Sequence, residues 1–294
     1  MRHGEQMEVR STRRPRGEVA IVRACGRLLG RLFATRGRRE LALFAAVYLL
    51  YDGARWVFVG HLGPARAHAR WVIHLERALH VAVEGQVQRA LDSGVSSFLL
   101  SNLYLAAQLI VLPGALLWLY RRSPQVYRKL RNTVAAAWLI STPIFALYPV
   151  APPRLAGIGI RDTVSHQAGV ALTGHSTIFY NPYAAVPSLH VGLAFAIGLA
   201  IAAAVTSRWA KALALCWGPL VVLAVLATGN HYLFDGATGL VVTAVAYALT
   251  GQAPRLLVRG RRTPPSRTRA VPAPLRGESP LRDGARPKPA EGTA

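Results

Sequence analysis

SLHVGLAFAIGLAIAAAVTSRWAKALALCWGPLVVLAVLATGNHYLFDGATGLVVTAVAYALT, residues 188–250, is three apolar runs separated by a basic link and a short polar one. A bilayer core takes about 20 largely apolar residues per helix. The runs at roughly 188–205, 209–228 and 232–250 each approach that length. Toward the N-terminus, windows at roughly 41–60, 97–120 and 132–150 have the same character, although the first contains Asp52 and Arg55. Three residues apart, these two read first as a structural pair on one helix face and only second as site residues. The predicted fold class is all-α: a polytopic membrane protein with a six-transmembrane-helix bundle over residues 41–252. A hydrophobic content of 52% in 294 residues exceeds what a soluble domain of this size needs, so the excess is assigned to lipid.

The net charge of +22 would suggest nucleic acid if it were spread over a folded surface. It is not: residues 1–40 hold eleven arginines and residues 254–294 hold ten Lys and Arg. Both arms, 1–40 and 253–294, are rich in Arg, Pro and Gly and poor in aromatic residues, a composition that cannot bury enough apolar area to offset chain entropy. They read as disordered cytoplasmic tails drawn to anionic lipid, with no nucleic-acid partner. Residues 121–131, RRSPQVYRKLR, and the link at 206–211 are also basic. The positive-inside rule puts these segments in the cytoplasm and leaves 61–95, 151–187 and 228–231 outside, in the plasma membrane. Residues 61–95 mix Trp71, Val72, Ile73, Leu75 and Leu79 with Arg66, Arg70, Glu76, Arg77 and Glu84 at helical spacing, which predicts an interfacial amphipathic helix. The first apolar run lacks a small-residue cleavage site, so it is read as a retained span. Cys25 and Cys216 fall on opposite sides of a membrane boundary, and no disulfide is expected between them.

Three polar groups sit at the outward ends of these runs. Tyr148-Pro149-Val150-Ala151-Pro152-Pro153-Arg154-Leu155 leaves the third run through a proline-stiffened turn, and arginine is suited to grip two phosphate oxygens. Pro187-Ser188-Leu189-His190 opens the fourth, with Ser188 as N-cap; such a helix start attracts phosphate, and His190 would lie beside it. His231-Tyr232-Leu233-Phe234-Asp235 opens the sixth, and its four-residue spacing puts His and Asp on one face, where the carboxylate can fix the imidazole tautomer for attack. Phosphoryl transfer requires a nucleophile, an acid and cationic stabilisation, and Arg154, His190, His231 and Asp235 can fill those roles.

The PSLH and HYLFD segments resemble the second and third signature motifs of the type 2 phosphatidic acid phosphatase superfamily, which includes lipid phosphate phosphatases and vanadium haloperoxidases. YPVAPPRL is similar to the branch containing inositol phosphorylceramide synthases. The resemblance spans roughly residues 130–250 and implies His231 as nucleophile, Asp235 as its orienting partner and His190 as general acid, with no metal and no other cofactor. Two customary cations of that family are replaced here by Leu147 and Val225, which leaves Arg154 as the main phosphate ligand, helped by the Ser188 hydroxyl. That pattern fits a branch that positions two substrates: a lipid phosphate and a polyol acceptor such as inositol. A lipid phosphate or isoprenyl diphosphate phosphatase is the alternative.

In the outer loop, Arg161, Tyr180, Asn181 and Tyr183, together with Tyr148, are candidate headgroup contacts in a polar lid. Asn230 reads first as a helix cap and second as a substrate contact. His166 and His175 lie nine positions apart without a cysteine, so no metal site is expected. A transporter relaying protons through His and Asp is the rival of another class. It would place these groups at mid-membrane rather than at helix ends.

Overall fold

The computed structural model describes residues 35–58, 60–167 and 181–259; most of both basic arms, together with His175 and Tyr180, lies outside them. The described chain is all-helical. Its elements are α1 (Thr35–Val57), α2 (Leu62–Ala78), α3 (Glu84–Ala90), α4 (Gly94–Ala106), a π-helical turn (Ala107–Val111), α5 (Leu112–Arg122), α6 (Pro124–Leu147), α7 (Thr163–Gln167), α8 (Leu189–Ala204), α9 (Arg208–Ala227) and α10 (Leu233–Arg259).

Four described helices are long and apolar enough to cross a membrane: Gly94–Arg122, which joins α4, the π turn and α5, then α6, α9, and Leu233–Gly251 of α10. Only 28% to 39% of their apolar windows is buried inside the protein. The remainder, including Leu109, Ile110, Leu213, Val241 and Leu249, is exposed, an apolar surface stable against lipid rather than water. The 16-residue α8 is shorter, and α1, at 23 residues, carries Asp52 and Arg55.

Local chemistry sets several boundaries. Ser93 and Ser96 form a reciprocal capping box at the start of α4. Pro113 has no N–H to return to the preceding turn, and the helix widens there into the π turn. The segment 61–95 is two helices rather than one, because the chain turns at His80, whose φ is 58°. Glu76 and Glu84, expected on the wet face of that segment, are instead buried against α10.

Helix α8 is central, packed on α9, α10 and α6. Its contact with α10 is close because glycines face each other: a side chain on Gly239 would run into the Ser188 carbonyl, and one on Gly192 into Gly239 and Thr243. This approach sets the first turn of α8 beside the first turn of α10. On the other flank Trp138 of α6 receives Phe44, Tyr48 and Tyr51 of α1, with ring centroids 5.1, 5.5 and 5.4 Å away. Such pairs add about 0.5–1.5 kcal/mol each beyond area burial. At the basic end Glu40 pairs with Arg131, and Lys129 donates to the Tyr247 carbonyl.

Candidate active site

The turn between α9 and α10 is built on Gly229, whose φ of +68° favours glycine and whose Cβ position would lie 2.7 Å from Ile160 and 2.9 Å from the Arg161 carbonyl. The amides at the start of α10 donate to side-chain carboxyl groups: Tyr232 N–H to Asp235 Oδ2 at 2.9 Å, Leu233 N–H to Glu84 Oε1 at 2.9 Å and Phe234 N–H to Glu76 Oε1 at 2.7 Å. Three acids from three helices therefore satisfy the start of α10 and hold it in place.

This fixed start orients His231. Its Nδ1 lies 3.0 Å from the Ala185 carbonyl and 3.3 Å from Asp235 Oδ2. Both neighbours are acceptors, so the neutral ring carries its proton on Nδ1 and presents the Nε2 lone pair. Burial first, and then the charge of Arg154, push the imidazole down to about 3, which keeps that lone pair free at neutral pH. Asp235 is fully buried. The second histidine, His190, stacks on Tyr104 at 4.2 Å with its ring centroid 5.8 Å from that of His231.

Both histidines open onto a cavity of about 680 Å³ that also meets Arg55, Gln108, Asn181 and Asn230 and is walled by Phe44, Tyr48, Tyr51, Trp138 and Phe145. Arg154 is not among the residues that line this cavity. Its side chain is buried, with Nε 3.2 Å from Asp162 Oδ2 and one terminal nitrogen donating to Asn230 Oδ1 at 2.7 Å. Asn230, which faces the cavity, thus couples Arg154 to it and also donates to Thr228.

The other residues picked out in the sequence divide in two. Ser188 caps α8, its hydroxyl accepting from Val191 N–H and its own N–H donating to the Asp235 carbonyl, and it is fully buried beside the site. Asn181 lines the cavity and donates to the carbonyls of Arg55 and Phe58 at the end of α1. Three expected headgroup contacts do not line it. Tyr148 is exposed and stacked on His68, Arg161 pairs at the surface with Asp92, and Tyr183 packs into the core beside Val150 and Tyr232. Among the described residues no group of three or more His, Cys, Asp or Glu is arranged to hold a metal ion.

Two helix starts, a proline-stiffened loop and two histidines thus converge at one end of the bundle. A family model described as the PAP2 superfamily matches residues 70–249, which covers α3 to α9, most of α2 and most of α10. The chain belongs to the PAP2 superfamily. No curated protein and no solved structure matches it. Members of the PAP2 superfamily are phosphatases or phosphotransferases, which supports an enzymatic role for this chain. Helix α1, which carries Arg55, lies outside the match.

One feature of this PAP2 protein is open to direct titration. Burial first, then the nearby Glu84 carboxylate, raise the Glu76 carboxyl to about 8 against the opposing hydrogen bond from Phe234 N–H. The folded state thus favours protonated Glu76 over the unfolded chain, whose carboxyl titrates at its ordinary value of 4.5. That stabilising contribution is complete below about pH 4.5 and is lost as pH rises toward 8. The melting temperature in detergent should therefore decline across this window, and Glu76→Gln, which keeps the acceptor for Phe234, should flatten the decline. Parallel slopes in the two proteins would show that Glu76 does not titrate there.

Proposed function

We propose that this enzyme hydrolyses or transfers the phosphoryl group of a lipid phosphate ester through a phosphohistidine on His231, at the outer end of a six-span bundle in the plasma membrane. The observation that supports it most is the His231 ring: Nδ1 is held between the Ala185 carbonyl and Asp235, Nε2 carries the lone pair, and His190 stands 5.8 Å away in the same cavity.

In this reading Nε2 of His231 attacks phosphorus while His190 gives a proton to the departing oxygen. The imidazolium side of the phosphohistidine is stabilised by Asp235, which costs nothing to reorganise because Tyr232 N–H already holds it. Arg154 supplies positive charge through Asn230, and the capped start of α8 at Ser188 adds its dipole. Water then resolves the phosphoenzyme in a phosphatase; a polyol such as inositol resolves it in a transferase.

The six spans comprise the four long apolar helices with α1 and α8, and α2 lies along the outer interface. The site lies at the end of the bundle opposite the Glu40–Arg131 pair and the basic start of α6, so the positive-inside rule supports an outward-facing site and cytoplasmic termini. The basic arms then meet anionic lipid on the inner leaflet. The test is an assay of purified full-length protein in detergent against a panel of lipid phosphates, with and without polyols and with a chelator present. Chelator-resistant release of phosphate, or its transfer to a polyol, is expected. Absence of turnover on every lipid phosphate would remove this reading.

A further inference from the structure

Gln108 is the only side chain between Tyr104 and Trp118 with a polar atom, and it sits midway along Gly94–Arg122, one of the helices long and apolar enough to cross a membrane. A carboxamide among hydrocarbon is costly unless it has a hydrogen-bond partner. Among the described residues none bonds to the Gln108 side chain, which instead lines the cavity. The other two carboxamides on the cavity wall are engaged within the protein. Asn181 donates to the carbonyls of Arg55 and Phe58 and accepts from Tyr183 N–H, and Asn230 accepts from Arg154 and donates to Thr228. Gln108 also belongs to the π turn Ala107–Val111, a departure from the α-helical ladder of a kind that recurs at functional sites.

Its place along the cavity matches one kind of ligand. Tyr104, one turn toward the site, stacks on His190 at 4.2 Å, and Leu112, one turn the other way, lines the apolar end with Phe44 and Trp138. Four residues of helix rise about 6 Å. The wall therefore presents the histidines, then an amide, then hydrocarbon. A lipid phosphate with acyl chains has the same order: in a diacylglycerol phosphate or an N-acyl sphingoid phosphate, the nearer acyl carbonyl is about five bonds from phosphorus, a reach of about 6 Å. An isoprenyl phosphate has only hydrocarbon at that distance.

We infer that Gln108 is a specificity residue: its carboxamide donates a hydrogen bond to the acyl carbonyl nearest the phosphate, so that this enzyme selects lipid phosphates by the linkage between headgroup and chain. The inference deepens the function proposed above and rests on it for the position of phosphorus at His231. A dialkyl ether lipid, with the same phosphate and chains of the same length, has no carbonyl and leaves the amide unpaired in the cavity. A site with a polar group so placed rejects the analogue that lacks its partner.

The experiment measures kcat/KM of the full-length protein in detergent on a diacylglycerol phosphate, its dialkyl ether counterpart, an N-acyl sphingoid phosphate and an isoprenyl phosphate. Wild type should favour the diacyl over the dialkyl lipid about tenfold, the scale of one hydrogen bond whose loss strands a polar group. In Gln108→Leu, similar in volume but without the amide, that ratio should fall to about one. Gln108→Met, unbranched and equally apolar, decides the matter if the leucine variant does not purify folded. A loss of preference confined to the diacyl lipid supports the contact and assigns it to an ester; one confined to the N-acyl lipid supports it and assigns it to an amide. A wild type indifferent to the carbonyl, or a variant slowed equally on all four lipids, would overturn the inference. Should wild type turn over none of them, the proposed chemistry has failed, and calorimetric binding of the diacyl and dialkyl lipids judges Gln108 separately. Tighter binding of the diacyl lipid by wild type but not by Gln108→Leu supports the contact, and equal affinities in wild type rule it out.

Discussion

His231→Ala is expected to abolish turnover and the covalent phosphoenzyme together, because it removes the Nε2 left free for attack when the Ala185 carbonyl and Asp235 hold Nδ1. His190→Ala should behave differently. With an alkyl phosphate, whose leaving oxygen needs a proton, it should be slowed by about 10²- to 10⁴-fold, the usual worth of general acid catalysis. With an aryl phosphate, whose leaving group departs unaided, most of that loss should vanish. Steady-state rates on the two substrate types check this: an equal loss for His190→Ala on both would remove its role as the acid. Asp235→Asn should fall between the two histidine variants, since the Ala185 carbonyl still holds Nδ1.

Arg154→Lys carries the second large effect. The guanidinium joins two partners in different directions, Asp162 through Nε and Asn230 through a terminal nitrogen. An ammonium retains the charge but reaches only one of them, so either Asn230 loses its orientation toward the cavity or Asp162 loses its counterion. A fall in kcat of about 10²- to 10³-fold is expected, comparable to deleting one preorganised donor, with the folded yield nearly unchanged because the Arg154 backbone N–H still donates to Gly229. Near-normal kcat would reduce Arg154 to a structural clasp between the 151–155 loop and the α9–α10 turn.

How much of this was legible in the sequence depends on which kind of atom does the work. Helix starts with a side-chain signature were visible: Ser188 as N-cap, His231 and Asp235 four apart, and the proline turn ahead of Arg154. Groups acting through backbone were not. The Ala185 carbonyl that fixes the His231 tautomer is 46 residues away and leaves no mark in residue type. Glu76 and Glu84 matched the polar positions of an amphipathic pattern, and periodicity alone cannot tell a wet carboxylate from one buried against the amides of another helix. Arg55 has a local explanation in Asp52 three residues earlier, and spacing along the helix does not show the cavity it faces. Asn230 read as a cap, and its turn does bond to Thr228, but its link to Arg154 spans 76 residues. Conversely, Tyr148, Arg161 and Tyr183 had suitable chemistry near the motifs, yet the loop geometry sends them to His68, Asp92 and the core.

In the proposed mechanism phosphorus passes through Nε2 of His231. Rapid quenching of the full-length enzyme with phosphorus-labelled lipid phosphate, followed by mapping of the acid-labile, base-stable label, tests it most directly. The label should sit on His231, persist or accumulate in His190→Ala when an aryl phosphate is the donor, and be absent in His231→Ala. Label on His190 that survives in His231→Ala, or turnover by an active enzyme with no label on any histidine, would contradict it.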